Sequence, residues 1–179
     1  DTVEWVSMPD AQTAVNALIT GEIDVIEQIA HDLLPLVEPD PNIAVRIGNP
    51  LGNQYMFRMN WLHPPFDDPQ IRRAALEALN QKDFLDAVIG NPEYYAECAA
   101  MFVCGTPLAT DNGGEIALES DPAAAQALLD AAGYDGTPVV LMHSTDLQTL
   151  TNLAPVAAQL LRRGGFEVDM QSMDWQTLV

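Results

Sequence analysis

The chain is 179 residues long and 48% hydrophobic, with 7 basic against 26 acidic residues and a formal net charge of −19. That length buries one good core, or one core and part of a second, and the apolar share belongs to a folded rather than a disordered chain. The acidity excludes the basic face that a nucleic-acid binder or a protein of anionic membrane surfaces requires; no apolar run approaches the roughly 18 residues of a membrane helix.

An acidic surface also keeps a protein soluble and monomeric. The sequence opens on Asp1 in strand-like wording (Val3, Trp5, Val6), without a signal peptide, and residues 173–179 stop inside another element. It therefore reads as part of a longer protein.

In chain order, residues 3–8 suit a strand. Asp10 then caps a helix with apolar Ala14, Val15, Leu18 and Ile19, stopped at Gly21. Residues 23–26 read as a short buried strand, 32–37 as a short helix that gives out at Pro39, and 43–47 as a second strand. This alternation predicts an α/β layer with parallel strands. A turn-rich joint at 48–53 leads to an extended apolar segment, 55–60, and a rigid corner at Pro64-Pro65. Asp68 and Pro69 supply the N-cap and first residue of a helix over 69–79, and a second helix follows over 82–89.

A loop of about 30 residues, 90–120, comes next; a loop that long inside a compact domain is either functional or a sign of misassigned elements. Asp121 and Pro122 open a helix with Ala125, Leu128, Leu129 and Ala132 on one side, ended by Gly133. Residues 138–142 suit a strand. A helix bearing Leu153, Val156, Ala157, Leu160 and Leu161 ends at Arg162-Arg163 before Gly164-Gly165, and residues 166–170 alternate as a last strand. That strand–helix–strand unit should be parallel and right-handed.

The long loop holds the two cysteines, Cys98 and Cys104. A metal site would need two further ligands, and no other Cys or His lies nearby. Two independent buried thiols are a second reading. The third, adopted here, is a disulfide, which belongs outside the cytoplasm. Closing so small a loop contributes about 2 kcal/mol at most and fixes the shape of residues 99–103.

Catalytic constellations are not apparent. His31, His63 and His143 read as surface or half-buried residues, and no phosphate loop, nucleophile elbow or His-x-x-x-His spacing occurs. The acidic stretch Asp111-Asn112-Gly113-Gly114-Glu115 lacks the alternating ligands of a calcium loop and reads as a solvated turn. Neither a cofactor nor enzymatic activity is expected. Arg72-Arg73 and Arg162-Arg163 read as structural, the first pair meeting nearby acids and the second suiting its helix dipole. Trp5, Trp61 and Trp175 read as core in preference to cleft wall.

The most informative passage runs Arg58-Met59-Asn60-Trp61-Leu62-His63-Pro64-Pro65-Phe66-Asp67-Asp68-Pro69-Gln70-Ile71-Arg72-Arg73-Ala74. It resembles the extracytoplasmic solute-binding proteins of ABC importers, in the dipeptide, oligopeptide and nickel group known as family 5. There, such a strand crosses between lobes. Three further passages are similar to the family in the same order: Ala17-Leu18-Ile19-Thr20-Gly21-Glu22-Ile23-Asp24-Val25, Ala127-Leu128-Leu129-Asp130-Ala131-Ala132-Gly133-Tyr134-Asp135-Gly136, and Gln159-Leu160-Leu161-Arg162-Arg163-Gly164-Gly165-Phe166-Glu167-Val168.

The resemblance implies an α/β fold, a type II periplasmic binding protein-like lobe with a mixed, partly parallel sheet flanked by helices. Residues 1–54 would end the first lobe's opening stretch, and 55–179 would form most of the second lobe. It also implies a periplasmic, monomeric binding component with no cofactor. A solute, expected to be a peptide, would be captured between lobes by hinge closure and passed to ABC permease subunits. Relatives in that family take nickel complexes, sugars and other solutes, and the acid that meets a peptide's ammonium follows residue 179 in the family pattern.

Two candidate binding elements follow. Arg58 shares a face with Met56 and Asn60 in period-two alternation and lies among Tyr55, Phe57 and Met59. A cation on a central strand must be paired or reach a wet cavity. One reading is a salt bridge; the other turns Arg58 to the cleft, toward a ligand carboxylate or carbonyl. The second element is the Cys-loop, with Met101 and Phe102 at its tip and Gly105 admitting close backbone approach. Met101 and Phe102 would either touch ligand or plug the core. The expected ligand set is Tyr55, Phe57, Arg58, Asn60, Met101, Phe102 and Gly105, flanking a deep groove. A different class, a non-catalytic extracytoplasmic docking module for a protein partner, would instead expose a flat apolar patch.

Overall fold

Side-chain caps start four of the five described helices longer than four residues, and the computed structural model describes residues 2–179, with Ala117 and Gln148 described at the backbone only. The chain divides into two units, Asp1–Pro50 and Leu51–Val179.

In the first unit, Asp10 accepts from the Thr13 amide at 2.8 Å and starts α1, Ala11–Thr20. The helix buries Val15 and Ala17 and ends at Gly21, while Ile19, expected on its apolar face, is 42% exposed. A 3-10 turn, His31–Leu33, runs into α2, Leu34–Val37, which buries Leu34 and Val37. The strands expected over 3–8, 23–26 and 43–47 form no ladder among the described residues. A strand exists only through a neighbour's backbone, and an apolar run supplies half of that condition. Their apolar side chains are half-buried, as Ile23, Ile26 and Ile43 are, or exposed, Trp5 among them at 86%.

The second unit begins with an extended segment leading to a cis Pro64–Pro65 bond. Asp68 accepts from the Gln70 amide at 2.7 Å and opens α3, Pro69–Ala78. Arg72, expected to meet acids, donates instead to the carbonyls of Phe66 at 2.6 Å and Asp67 at 3.2 Å. It ties the helix to the corner before it. Asn80 caps α4, Gln81–Val88. The long loop follows, with 3-10 turns at Pro92–Tyr94 and Glu115–Ala117.

Asp121 then caps α5, Pro122–Ala132, which leads to β1, Val139–Ser144. The expected single helix after β1 is two, α6, Gln148–Thr151, and α7, Leu153–Arg163. β2, Val168–Met173, and α8, Trp175–Leu178, complete the unit. β1 and β2 pair in parallel, Val139 opposite Val168 through Ser144 opposite Met173. The last strand starts later than its apolar alternation suggests because Phe166 turns into the core. Its ring lies 6.3 Å from Phe66 and 5.6 Å from Tyr134.

The core sits where α3, α5 and α7 meet the sheet. Ala74, Ala75 and Ala78 on α3 and Ala125 on α5 are fully buried, so small side chains set a close helix approach. Leu129, Leu160, Leu161, Val139 and Leu141 fill the space beneath. The sheet's opposite face carries Val140 and Met142, both more than half exposed.

Asp121 illustrates how caps join elements. Its carboxylate accepts from the Ala123 and Ala124 amides at 3.0 and 2.9 Å, while its own amide donates to the Glu77 carbonyl at 2.8 Å. Asp121→Ala should cost about 1 kcal/mol, and Asp121→Asn should recover most of it. Thermal unfolding of the two variants checks this.

Candidate functional site

Alternation along residues 55–60 sets the geometry of the candidate site. Phe57 and Met59 pack against the core cluster, while Met56, Arg58 and Asn60 on the other face are exposed. Tyr55, at the segment's start, is 43% exposed. Asn60 uses its side-chain oxygen to accept from the Leu62 amide at 3.2 Å, which shapes the approach to the Pro-Pro corner. The salt bridge considered for Arg58 does not form among the described residues; the ion pair there is Lys82–Asp86. Phe57 is thus a support for this segment, packed against the core rather than turned outward.

The cysteines form a disulfide, Cys98–Cys104, with Cα atoms 5.8 Å apart. At the loop's tip Met101 and Phe102 are 68% and 52% exposed, so they do not plug the core; their neighbour Ala100 is buried. The loop is anchored at three points. Gln81, at the start of α4, brackets Cys98, accepting from its amide and donating to its carbonyl at 3.0 Å. Gln54 donates to the Ala100 carbonyl at 3.3 Å. Gly114 lies so close to Ala99 that an added Cβ would fall 1.5 Å from the Ala99 carbonyl oxygen.

The Gln54 hydrogen bond brings the loop against the extended segment. Gly105 reinforces this on the loop's far side: its φ is 85°, and a Cβ there would lie 3.3 Å from Leu51. Gly105 is therefore a packing position against Leu51 in addition to an exposed one. The Cys-loop thus meets the segment at Leu51 and Gln54; beyond that contact the segment exposes Tyr55, Met56 and Arg58, and the loop tip exposes Met101 and Phe102. Trp61, expected in the core, is 66% exposed.

Two concavities lie elsewhere. One of about 480 Å³ is lined by Pro64, Pro65, Asp68, Tyr134 and Asp135, and one of about 970 Å³ by Arg72, Arg73, Glu77, Glu115 and Glu119. Neither is lined by residues 55–60 or the Cys-loop.

At the foot of the loop, Asp86 accepts from both Lys82 and the Tyr95 hydroxyl. The Lys82 ammonium and then the Tyr95 hydroxyl hold the Asp86 carboxyl below its usual range, and the same carboxylate pushes Lys82 and Tyr95 upward. All three groups are exposed, so this is local fastening. His143 bridges β2 and α6, with Nδ1 2.9 Å from the Ser172 hydroxyl and Nε2 3.0 Å from the Thr151 carbonyl.

Gln54, Gln81 and Gly114, which hold the loop, are not evident from sequence. Gln54 and Gln81 act across 46 and 17 residues, and no local pattern encodes such partners. If the disulfide shapes only the tip, Cys98→Ser with Cys104→Ser should cost no more than about 2 kcal/mol. Faster amide exchange should be confined to residues 99–104, because the Gln81 bracket persists. Hydrogen exchange read by mass spectrometry checks this.

The parallel β1–β2 pair backed by helices is an α/β arrangement. Solved structures agree in fold. The chain is similar to the binding protein AgaA in complex with agropinic acid from A. tumefaciens R10, at TM-score 0.73 and 19% identity, over 95% of this chain and 34% of that one. It is also similar to the binding protein DppA from Helicobacter pylori in complex with the peptide STSA, at TM-score 0.68 and 19% identity, over 96% of this chain and 32% of that one.

Residues 1–179 match the family described as bacterial extracellular solute-binding proteins, family 5, middle region, and the chain belongs to that family. Its relatives include the probable peptide ABC transporter periplasmic-binding protein y4tO of Sinorhizobium fredii (strain NBRC 101917 / NGR234), 37% identical over 173 residues. That match covers 96% of this chain and 33% of the relative, so the chain spans about a third of the length of the relatives it matches.

Proposed function

We propose that this chain is part of a periplasmic, monomeric solute-binding component of an ABC importer, and that its solute is a peptide. In this reading residues 1–54 end the first lobe's opening stretch and 55–179 form most of the second lobe. The solute is held by Tyr55, Arg58, Asn60, Met101, Phe102 and the exposed backbone at Gly105, with Phe57 supporting from behind. Lobes close on it about a hinge, and the closed form is what the permease subunits receive. No bond is made or broken, and no cofactor takes part.

The observation that carries the reading is the docking of the Cys-loop onto the extended segment through Gln54 and Ala100. It gathers apolar, aromatic and cationic groups on a fixed scaffold, as recognition of a mixed-chemistry solute requires. Family membership supplies the transport class, and the 37%-identical relative is named as a probable peptide binder. The acidic balance of −19 accords with a protein that stays soluble and monomeric.

The test is a thermal-shift series on the full-length protein against di-, tri- and longer peptides, sugars and nickel chelates. A true solute at a hundredfold excess over its dissociation constant stabilises by about 2.7 kcal/mol. Stabilisation by peptides alone supports the reading in full. Stabilisation by another solute removes the peptide assignment and keeps the transport class. No stabilisation by any of them favours the docking module.

A further inference from the structure

Seven side chains carry positive charge in a chain of net −19. Lys82 is taken up by Asp86, Arg72 by two carbonyls, Arg162 by the Val168 carbonyl at 2.9 Å, and Arg163 by the Ser120 hydroxyl at 3.5 Å. Arg73 lies in the concavity that Glu77, Glu115 and Glu119 also line. Arg58 is different. Among the described residues it makes no ion pair, and its face of the segment is shared with an exposed thioether, Met56. At the near end of the same segment stands the loop tip, where Met101 and Phe102 are both more than half exposed.

Spacing makes these groups a unit. Gln54, which meets the loop, and Arg58 are four residues apart on one face, about 13 Å along an extended chain. Met56 lies between them. The order along the surface is therefore apolar loop tip, thioether, guanidinium, with room for a hydrocarbon group before the charge. A guanidinium in a strongly acidic protein is best matched by a ligand that brings its own anion, and its fork accepts a carboxylate in two-point geometry.

We infer that this surface recognises the carboxylate of an apolar solute, with the charge on Arg58 and the hydrocarbon part against Met56, Met101 and Phe102. The inference rests on the solute-binding reading above and names the chemistry of its ligand. Two sources share that chemistry: a peptide whose last residue is apolar, and a free apolar acid.

Isothermal titration calorimetry on the full-length protein separates them. The probes are the tripeptide alanyl-alanyl-phenylalanine and its C-terminal amide, 3-phenylpropionate and 3-phenylpropionamide, and maltotriose. The unmodified protein should prefer acid over amide by about tenfold or more, as expected for a charge-assisted pair. Arg58→Gln should reduce that preference to about twofold or less, and Arg58→Lys should restore part of it. Phe102→Ser should weaken acid and amide alike.

Discrimination within the tripeptide pair alone assigns the surface to a peptide C-terminus; discrimination within the phenylpropionate pair assigns it to a free acid. Equal binding of acid and amide, or a preference that survives Arg58→Gln, overturns the inference and leaves the solute-binding reading standing. Binding of maltotriose alone does the same. Binding of none of the probes overturns the inference, and the thermal-shift series then decides the solute-binding reading separately.

Discussion

Leu161→Ala should remove about 2–5 kcal/mol from the stability of the unit Leu51–Val179. Leu161 has no exposed surface and lies on α7, with its carbonyl accepting from the Phe166 amide at 3.0 Å. Truncation deletes buried methyl groups and leaves a cavity walled by helices that cannot close in. α3 and α5 already approach on alanines, so no larger side chain nearby has slack to fill the space. Leu161→Met, close in volume, should cost under about 1.5 kcal/mol. Leu108→Ala, at a side chain 68% exposed, should stay within about 0.5 kcal/mol. Calorimetric unfolding, with hydrogen exchange at the amides of α7 and β1, ranks the three. A Leu161→Ala loss no larger than that of Leu108→Ala would remove α7 from the centre of this core.

How far such a core is visible in sequence depends on the range of the interactions that build it. α1, α3, α4 and α5 lie within a residue or two of their expected bounds because Asp10, Asp68, Asn80 and Asp121 cap them locally. A cap acts over three residues, and three residues are legible. The strands are different. Residues 138–142 and 166–170 come within a few residues of β1 and β2, whereas 3–8, 23–26 and 43–47 share their composition and form no ladder among the described residues. Nothing inside an apolar run names the backbone that must lie beside it.

The same distinction runs through the candidate site. Period-two alternation put Arg58 on one face with Met56 and Asn60, and those three are exposed, but it did not say which face meets the core: Phe57, expected among the ligand contacts, packs there with Met59. The disulfide was legible because two cysteines leave few partners to choose from. What sequence could not supply was the placement of the Cys-loop, which rests on one hydrogen bond from Gln54 and a bracket from Gln81. Trp5 and Trp61 show the opposite error: size and apolarity suggested burial, and neither is buried. Large apolar surface is driven inward only where a core is within reach.

Gly114→Ala should cost about 1–3 kcal/mol and disturb the Cys-loop as well. Gly114 has φ −91°, which any residue adopts, so torsion does not require glycine here. Space does, since the nearest atoms to a new Cβ are the carbonyl oxygen and carbon of Ala99, at 1.5 and 2.6 Å. Backbone cannot rotate away as a side-chain end can, so either the turn closed by Gly114 on the Asp111 carbonyl or the base of the Cys-loop must move. Its neighbour provides the contrast. Gly113 has φ 77° and open space where a Cβ would stand. Gly113→Ala should cost about 1 kcal/mol through torsion alone and leave the loop in place, and Gly113→Asn should cost less. Amide exchange at residues 98–104 should therefore rise in Gly114→Ala and stay unchanged in Gly113→Ala. Equal exchange in the two variants would mean that Gly114 does not support the loop, leaving its position to Gln54, Gln81 and the disulfide.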